Sequence, residues 1–132
     1  MRGLDTNVLV RYLVKDDLIQ WQQASAYIKQ AKVEDKPCFI NNVVLCELTW
    51  VLGTSYKLSR NELMGVLEKI LRTNTFDFEN RSAAWWSVQQ MKRGKADFAD
   101  YLVGRINQEA GCSETASLDK KVKGIEGFKA LL

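Results

Sequence analysis

The stretch Arg2-Gly3-Leu4-Asp5-Thr6-Asn7-Val8-Leu9-Val10-Arg11-Tyr12-Leu13-Val14 reads as a short strand passing almost at once into a helix. Residues 2–4 form the strand, the helix runs from about Asn7 to Val14, and Lys15-Asp16-Asp17 makes a turn. The rest of the chain repeats this alternation. Leu18 to Lys32 is helical, with Leu18, Ala24, Tyr27, Ile28 and Ala31 among its apolar positions. Pro37 to Asn41 is a short buried strand, with proline tolerated at its first position. Val43 to Tyr56 follows as a helix striped by Val44, Leu48, Val51 and Leu52. Ser59 and Glu62 form a capping box for a helix whose core face is Leu63, Leu67, Ile70 and Leu71. Thr75 to Glu79 alternates like a strand, and Asn80 caps a helix reaching about Arg93. Asp97 to Ala110 is helical and ends at Gly111. Glu114 to Leu118 is the last strand, followed by a basic turn and a short C-terminal helix.

Strands alternating with helices predict an α/β fold, a parallel sheet with helices on both faces. No repeat, low-complexity run or linker interrupts the pattern, so residues 1–132 are expected to form a single domain. Such a chain, 46% hydrophobic, is long enough to bury a sizeable core.

The chain contains no histidine. A Ser-His-Asp or Cys-His triad therefore cannot be built, and histidine-ligated zinc and a histidine acid–base pair are excluded. Cysteines at 38, 46 and 112 are odd in number and lack C-x-x-C spacing, which fits reduced thiols. Asp5, Asn7 and Arg11 interrupt the mildly apolar N-terminus too early for a signal-peptide core. No stretch approaches the ~18 apolar residues of a membrane span. The expectation is a cytoplasmic protein with no membrane partner.

In parallel sheets the functional cleft lies beyond the carboxyl ends of the strands, which directs attention to acids placed there. Asp5 directly follows the first strand; its plain alternative is helix capping, although Thr6 or Asn7 would suffice for that and leave Asp5 spare. Glu47 lies only ~60° around its helix from Val44, at the border of the apolar stripe. Burying its charge there costs several kcal/mol unless it is paired, so its alternative is to snorkel outward or meet an arginine. Asp97 and Asp100 stand at i and i+3 on one helix face, opposite Phe98, Leu102 and Ile106. Capping explains Asp97 better than Asp100, and Gly104, one turn on, leaves room for a close approach. Asp119 ends the last strand, with a surface turn as its alternative. Gathered together, such carboxylates repel and need a cation. Oxygen ligands select Mg²⁺ or Mn²⁺, and that chemistry suits phosphodiester hydrolysis.

Leu4-Asp5-Thr6-Asn7-Val8-Leu9-Val10-Arg11-Tyr12-Leu13 resembles the opening of PIN-domain proteins, specifically VapC-type ribonuclease toxins. Val44-Leu45-Cys46-Glu47-Leu48-Thr49-Trp50-Val51-Leu52 resembles their second motif, and Asp97-Phe98-Ala99-Asp100-Tyr101-Leu102-Val103 the third. Gly111-Cys112 with Ser117-Leu118-Asp119-Lys120 resembles the fourth. The four occur in order along the whole chain. The resemblance implies a PIN-like fold, a five-stranded parallel sheet sandwiched between helices. It also implies a Mg²⁺- or Mn²⁺-dependent endoribonuclease, the toxin of a toxin–antitoxin pair. By motif, Asp5, Glu47 and Asp100 are then the core metal-site acids, with Asp119 the fourth and Asp97 assisting. Thr6, Asn7 and Arg11 support the site, and Ser117 stands where the family usually has threonine. A VapB-like antitoxin and a homodimer are the implied protein partners, RNA the implied substrate.

Basic residues agree with an RNA substrate. Arg2 and Arg11 flank the first acid, Lys92, Arg93 and Lys95 precede the third motif, and Lys120, Lys121 and Lys123 follow the fourth. For each alone, a solvated surface charge is the alternative. The tryptophans, Trp85 and Trp86 included, suit a core or a dimer surface better than base stacking. Net charge is +3, and removing the four motif acids from the 16 leaves 12 against 19 basic residues. Two other functions stay open. One is a non-catalytic PIN-like module that binds RNA or antitoxin. The other is a phosphotransferase with Asp5 as nucleophile, although such enzymes want a second aspartate where Asn7 stands.

Overall fold

A computed structural model describes residues 1–132, which divide into two compact units, Met1–Arg81 and Ser82–Leu132. In the first, β1 (Arg2–Gly3), β2 (Cys38–Ile40) and β3 (Phe76–Phe78) are parallel neighbours in that order. Arg2 lies opposite Cys38, Cys38 opposite Phe76 and Ile40 opposite Phe78. Side chains two apart on a strand share a face, and Cys38 and Ile40 are wholly buried. Between the strands run α1 (Thr6–Leu13), α2 (Leu18–Val33), α3 (Asn42–Thr54) and α4 (Arg60–Leu71). α1 packs against α2 and α3, and α3 against α4.

The helices bury the stripes their spacing demands. α3 buries Val44, Leu45, Leu48 and Leu52, and α4 buries Leu67, Ile70 and Leu71. α2 buries Ala24, Ile28 and Ala31, whereas Leu18 and Tyr27 are exposed. The expected capping box is formed: Ser59 N–H donates to Glu62 Oε1 at 2.9 Å, and Glu62 N–H to Ser59 Oγ at 3.2 Å. Arg81 closes the unit by donating to the carbonyls of Leu71 and Phe76, its guanidinium 4.6 Å from the centre of the Phe78 ring.

Arg81 also begins α5 (Arg81–Met91), which leads into the second unit. There follow α6 (Phe98–Glu109), β4 (Thr115–Ser117), a 3₁₀ turn (Lys120–Val122) and β5 (Phe128–Ala130), parallel to β4. Its core joins Ala84, Val88 and Met91 with Phe98, Tyr101, Leu102 and Val122. No helix of the chain is long and apolar enough to cross a membrane.

Two expectations are corrected. The strands form one three-stranded and one two-stranded ladder, not a single five-stranded sheet. β1 has only two residues, and its ladder runs to β2. The expected C-terminal helix is absent. Its place is taken by the 3₁₀ turn and β5, because Gly124 and Gly127 adopt φ of +82° and +88°, which break a helix. The room at Gly104 is used from within: a Cβ there would stand 2.7 Å from Cζ of Phe128, on β5.

At the end of α1, Arg11 Nε donates to Gln20 Oε1 at 2.6 Å and Nη1 to Asp16 Oδ1 at 2.9 Å. Tyr56 O–H donates to Asp16 Oδ2 at 2.9 Å, so the turn between α1 and α2 is tied to the residues after α3. The Tyr56 hydroxyl, followed by the Arg11 guanidinium, holds the Asp16 carboxyl below the usual aspartate range. Its contribution to stability is therefore present above the ordinary aspartate pKa and lost as pH falls through the depressed one. In Tyr56→Phe the Asp16 pKa is expected to rise toward its ordinary value, read by an NMR pH titration of the carboxyl carbon; an unmoved pKa would deny the hydroxyl this role. Gly104→Val is expected to cost about 1–3 kcal/mol in urea unfolding by overpacking against Phe128. Phe128→Ala in the same chain should recover part of that loss, whereas strictly additive losses would show that the two do not meet.

Candidate active site

Asp5 is the residue at which β1 gives way to α1. Its backbone is extended, and Oδ1 accepts the N–H of Thr6 at 2.8 Å. Asp5 is thus itself the N-cap, not a spare acid beside one. Thr6, only 6% exposed, also sends its hydroxyl to Glu47 Oε1 at 3.0 Å. One threonine therefore joins a carboxylate next to it in sequence with one 41 positions further along the chain. Glu47 is exposed on α3 and so takes the outward course open to a residue at the stripe's border. Cys46 beside it is half-buried, and burial pushes its thiol pKa up, which keeps it protonated.

Asp5, Asn7 and Arg11 line a hollow of about 480 Å³ together with Gln20, Gln23 and Tyr27. Arg11 reaches it with its guanidinium engaged by Asp16, Gln20 and Tyr56. The hydrogen bond to Asp16 raises its pKa further above an already high value. Arg2, which flanks Asp5 in the sequence, is paired with Glu34 at 2.6 Å.

In the second unit, Asp97 is the N-cap of α6 and Asp100 its third residue. Asp100 Oδ2 accepts the N–H of Asp97 at 3.0 Å, so capping accounts for Asp100 as well as for Asp97. Asp119 N–H donates to Ser117 Oγ at 3.0 Å, and Asp119 Oδ1 accepts the N–H of Lys121 at 2.9 Å, opening the 3₁₀ turn. The residue missed from sequence is Lys121. It stood there as one lysine of a basic run, yet its Nζ lies 2.8 Å from Asp97 Oδ2 and 3.7 Å from Asp119 Oδ2. Its position two residues after a strand-end aspartate was the available signal.

No three Asp, Glu or Cys side chains gather into a ready cage for a metal ion. The candidate donors are nevertheless carboxylate and hydroxyl oxygens, the hard set that suits Mg²⁺ or Mn²⁺. Among the second unit's acids a cation is already held, the ammonium of Lys121. The donor chemistry therefore fits a divalent ion. A larger hollow, about 650 Å³, opens in the second unit beside Trp86, Arg105 and Phe128, and none of the motif acids lines it. The Trp86 ring there meets Tyr101 edge-on at 6.3 Å and carries the Arg105 guanidinium at 4.9 Å.

No protein-family model matches the chain. Among curated proteins it is similar to a VapC ribonuclease of Aquifex aeolicus, with 24% identity over 131 residues, which is 99% of this chain and 96% of that protein. The resemblance to VapC-type PIN-domain proteins, carried by four short motifs, thus extends over nearly the full length of both chains.

Proposed function

We propose that this chain is an endoribonuclease, the toxin of a toxin–antitoxin pair, that hydrolyses RNA phosphodiester bonds with a divalent cation. The observation that carries the reading is the Thr6 bridge, which holds Asp5 and Glu47 ready with their charges partly satisfied. Full-length similarity to a VapC ribonuclease supports the reaction class. Asp5, Glu47, Asp100 and Asp119 are the metal-holding acids, assisted by Asp97, and the ion is Mg²⁺ or Mn²⁺. When bound, that ion polarises the phosphoryl oxygen and lowers the pKa of water. Thr6 orients Asp5 and Glu47 by donating to their carboxylates, and Ser117 supports the backbone of Asp119, whose N–H its hydroxyl accepts. Asn7 offers an amide to the strand of RNA in the hollow beside Asp5. Arg11 shapes that hollow by fixing the Asp16 turn. The chain works as one PIN-like domain in the cytoplasm, forms a homodimer, and is restrained by a VapB-like antitoxin.

Cleavage of a labelled RNA oligonucleotide tests this. Wild type with Mg²⁺ or Mn²⁺ is expected to cut, and chelation, Asp5→Asn or Asp100→Asn to abolish cutting. A folded, pure sample inert with both metals would leave the non-catalytic module as the better reading. Thr6→Val removes the hydroxyl but keeps the shape, and should lower cleavage by about 10- to 100-fold, as loss of a group that orients a metal ligand does. Thr6→Ser should retain most activity; equal loss in both variants would remove Thr6 from this role.

A further inference from the structure

We propose that Lys121 is a built-in counter-ion that a divalent cation must displace, and that it thereby limits the metal affinity of the free protein. The inference rests on the metal-site reading above. Lys121 is attached to the acids at both ends. Its backbone N–H donates to Asp119 Oδ1 at 2.9 Å, and its Nζ reaches Asp97 Oδ2 at 2.8 Å and Asp119 Oδ2 at 3.7 Å. One ammonium thus spans two carboxylates that are 22 positions apart. Asp100 adds to the field around it, its own carboxylate held by the Asp97 backbone N–H at 3.0 Å.

An ammonium and a divalent ion cannot share the same carboxylate oxygens, because metal–oxygen distances near 2.1 Å leave no space for a donor on the same lone pair. Lys121 therefore satisfies the acids in the metal-free protein, where their mutual repulsion would otherwise spread them. Metal entry exchanges one cation for another. The exchange is feasible because the pair is open to water: the Lys121 side chain is 46% exposed and that of Asp97 63%.

Calorimetric titration of the full chain with Mn²⁺ tests the exchange without reference to cleavage. Lys121→Met is expected to bind Mn²⁺ about three- to tenfold more tightly than wild type, since a half-exposed ion pair no longer has to be broken. Lys121→Arg keeps the charge and should remain close to wild type. In chelator, Lys121→Met should melt below wild type, and added Mn²⁺ should raise its Tm by more. Lys121→Gln replaces the methionine variant if that chain does not fold. Equal or weaker Mn²⁺ binding by the neutral variant overturns the inference while leaving the metal reading intact. No Mn²⁺ binding by any of the chains overturns the metal reading, and the exchange with it.

Discussion

Carboxylates placed near one another repel, and the contacts that Thr6 and Lys121 make with the motif acids answer that constraint. Thr6 meets it in the first unit with two donors, an N–H to Asp5 and a hydroxyl to Glu47. Lys121 meets it in the second with an N–H to Asp119 and an ammonium between Asp97 and Asp119. The places where donors are plentiful are helix starts, whose first N–H groups have no partner within the helix. Asp5 and Asp97 sit at such starts, and Asp119 opens the 3₁₀ turn. Capping and function are therefore compatible, because a carboxylate has two oxygens. Asp119 gives Oδ1 to the turn and turns Oδ2 to the ammonium, and Asp5 spends only Oδ1 on Thr6 N–H.

This explains what could be read from the chain and what could not. Helices with strong periodicity and caps, such as α3 and α4 behind the Ser59–Glu62 box, were legible because local spacing alone dictates them. The three parallel strands of the first unit followed from their alternation with those helices. The second ladder was less legible. Phe128-Lys129-Ala130 lies among lysines and glycines, and only its pairing with Thr115-Ala116-Ser117 makes it a strand. Gly104 announced a close approach, but the approaching group, Phe128, lies 24 residues on and carries no local mark.

For the acids, sequence gave the positions and left the partners hidden. In the sequence, capping and chemistry are rival readings of Asp5; the structure shows the cap, and it engages Oδ1. Likewise a basic cluster after a motif suggests attraction to phosphate, whereas Lys121 is turned back toward Asp97. Hydrogen bonds between residues far apart in the chain, such as Arg11 with Tyr56 or Thr6 with Glu47, leave no periodic trace.

The modest net charge of +3 is a sum over two populations, and pairing acts on both. Arg2, Arg11, Arg72, Arg105 and Lys121 each stand within 4 Å of a carboxylate. Such surface pairs add little stability, yet they lower the field that a phosphate backbone meets. The motif acids lower it further where they are bare. On the proposed function, a cation taken up by those acids would reverse that local sign and remove the hold on Lys121. The same carboxylates, which bare would repel an RNA strand, would then anchor the charge that attracts it. If the proposed function holds, metal loading and attraction for RNA are one electrostatic event, and acids within a basic protein do not oppose that function.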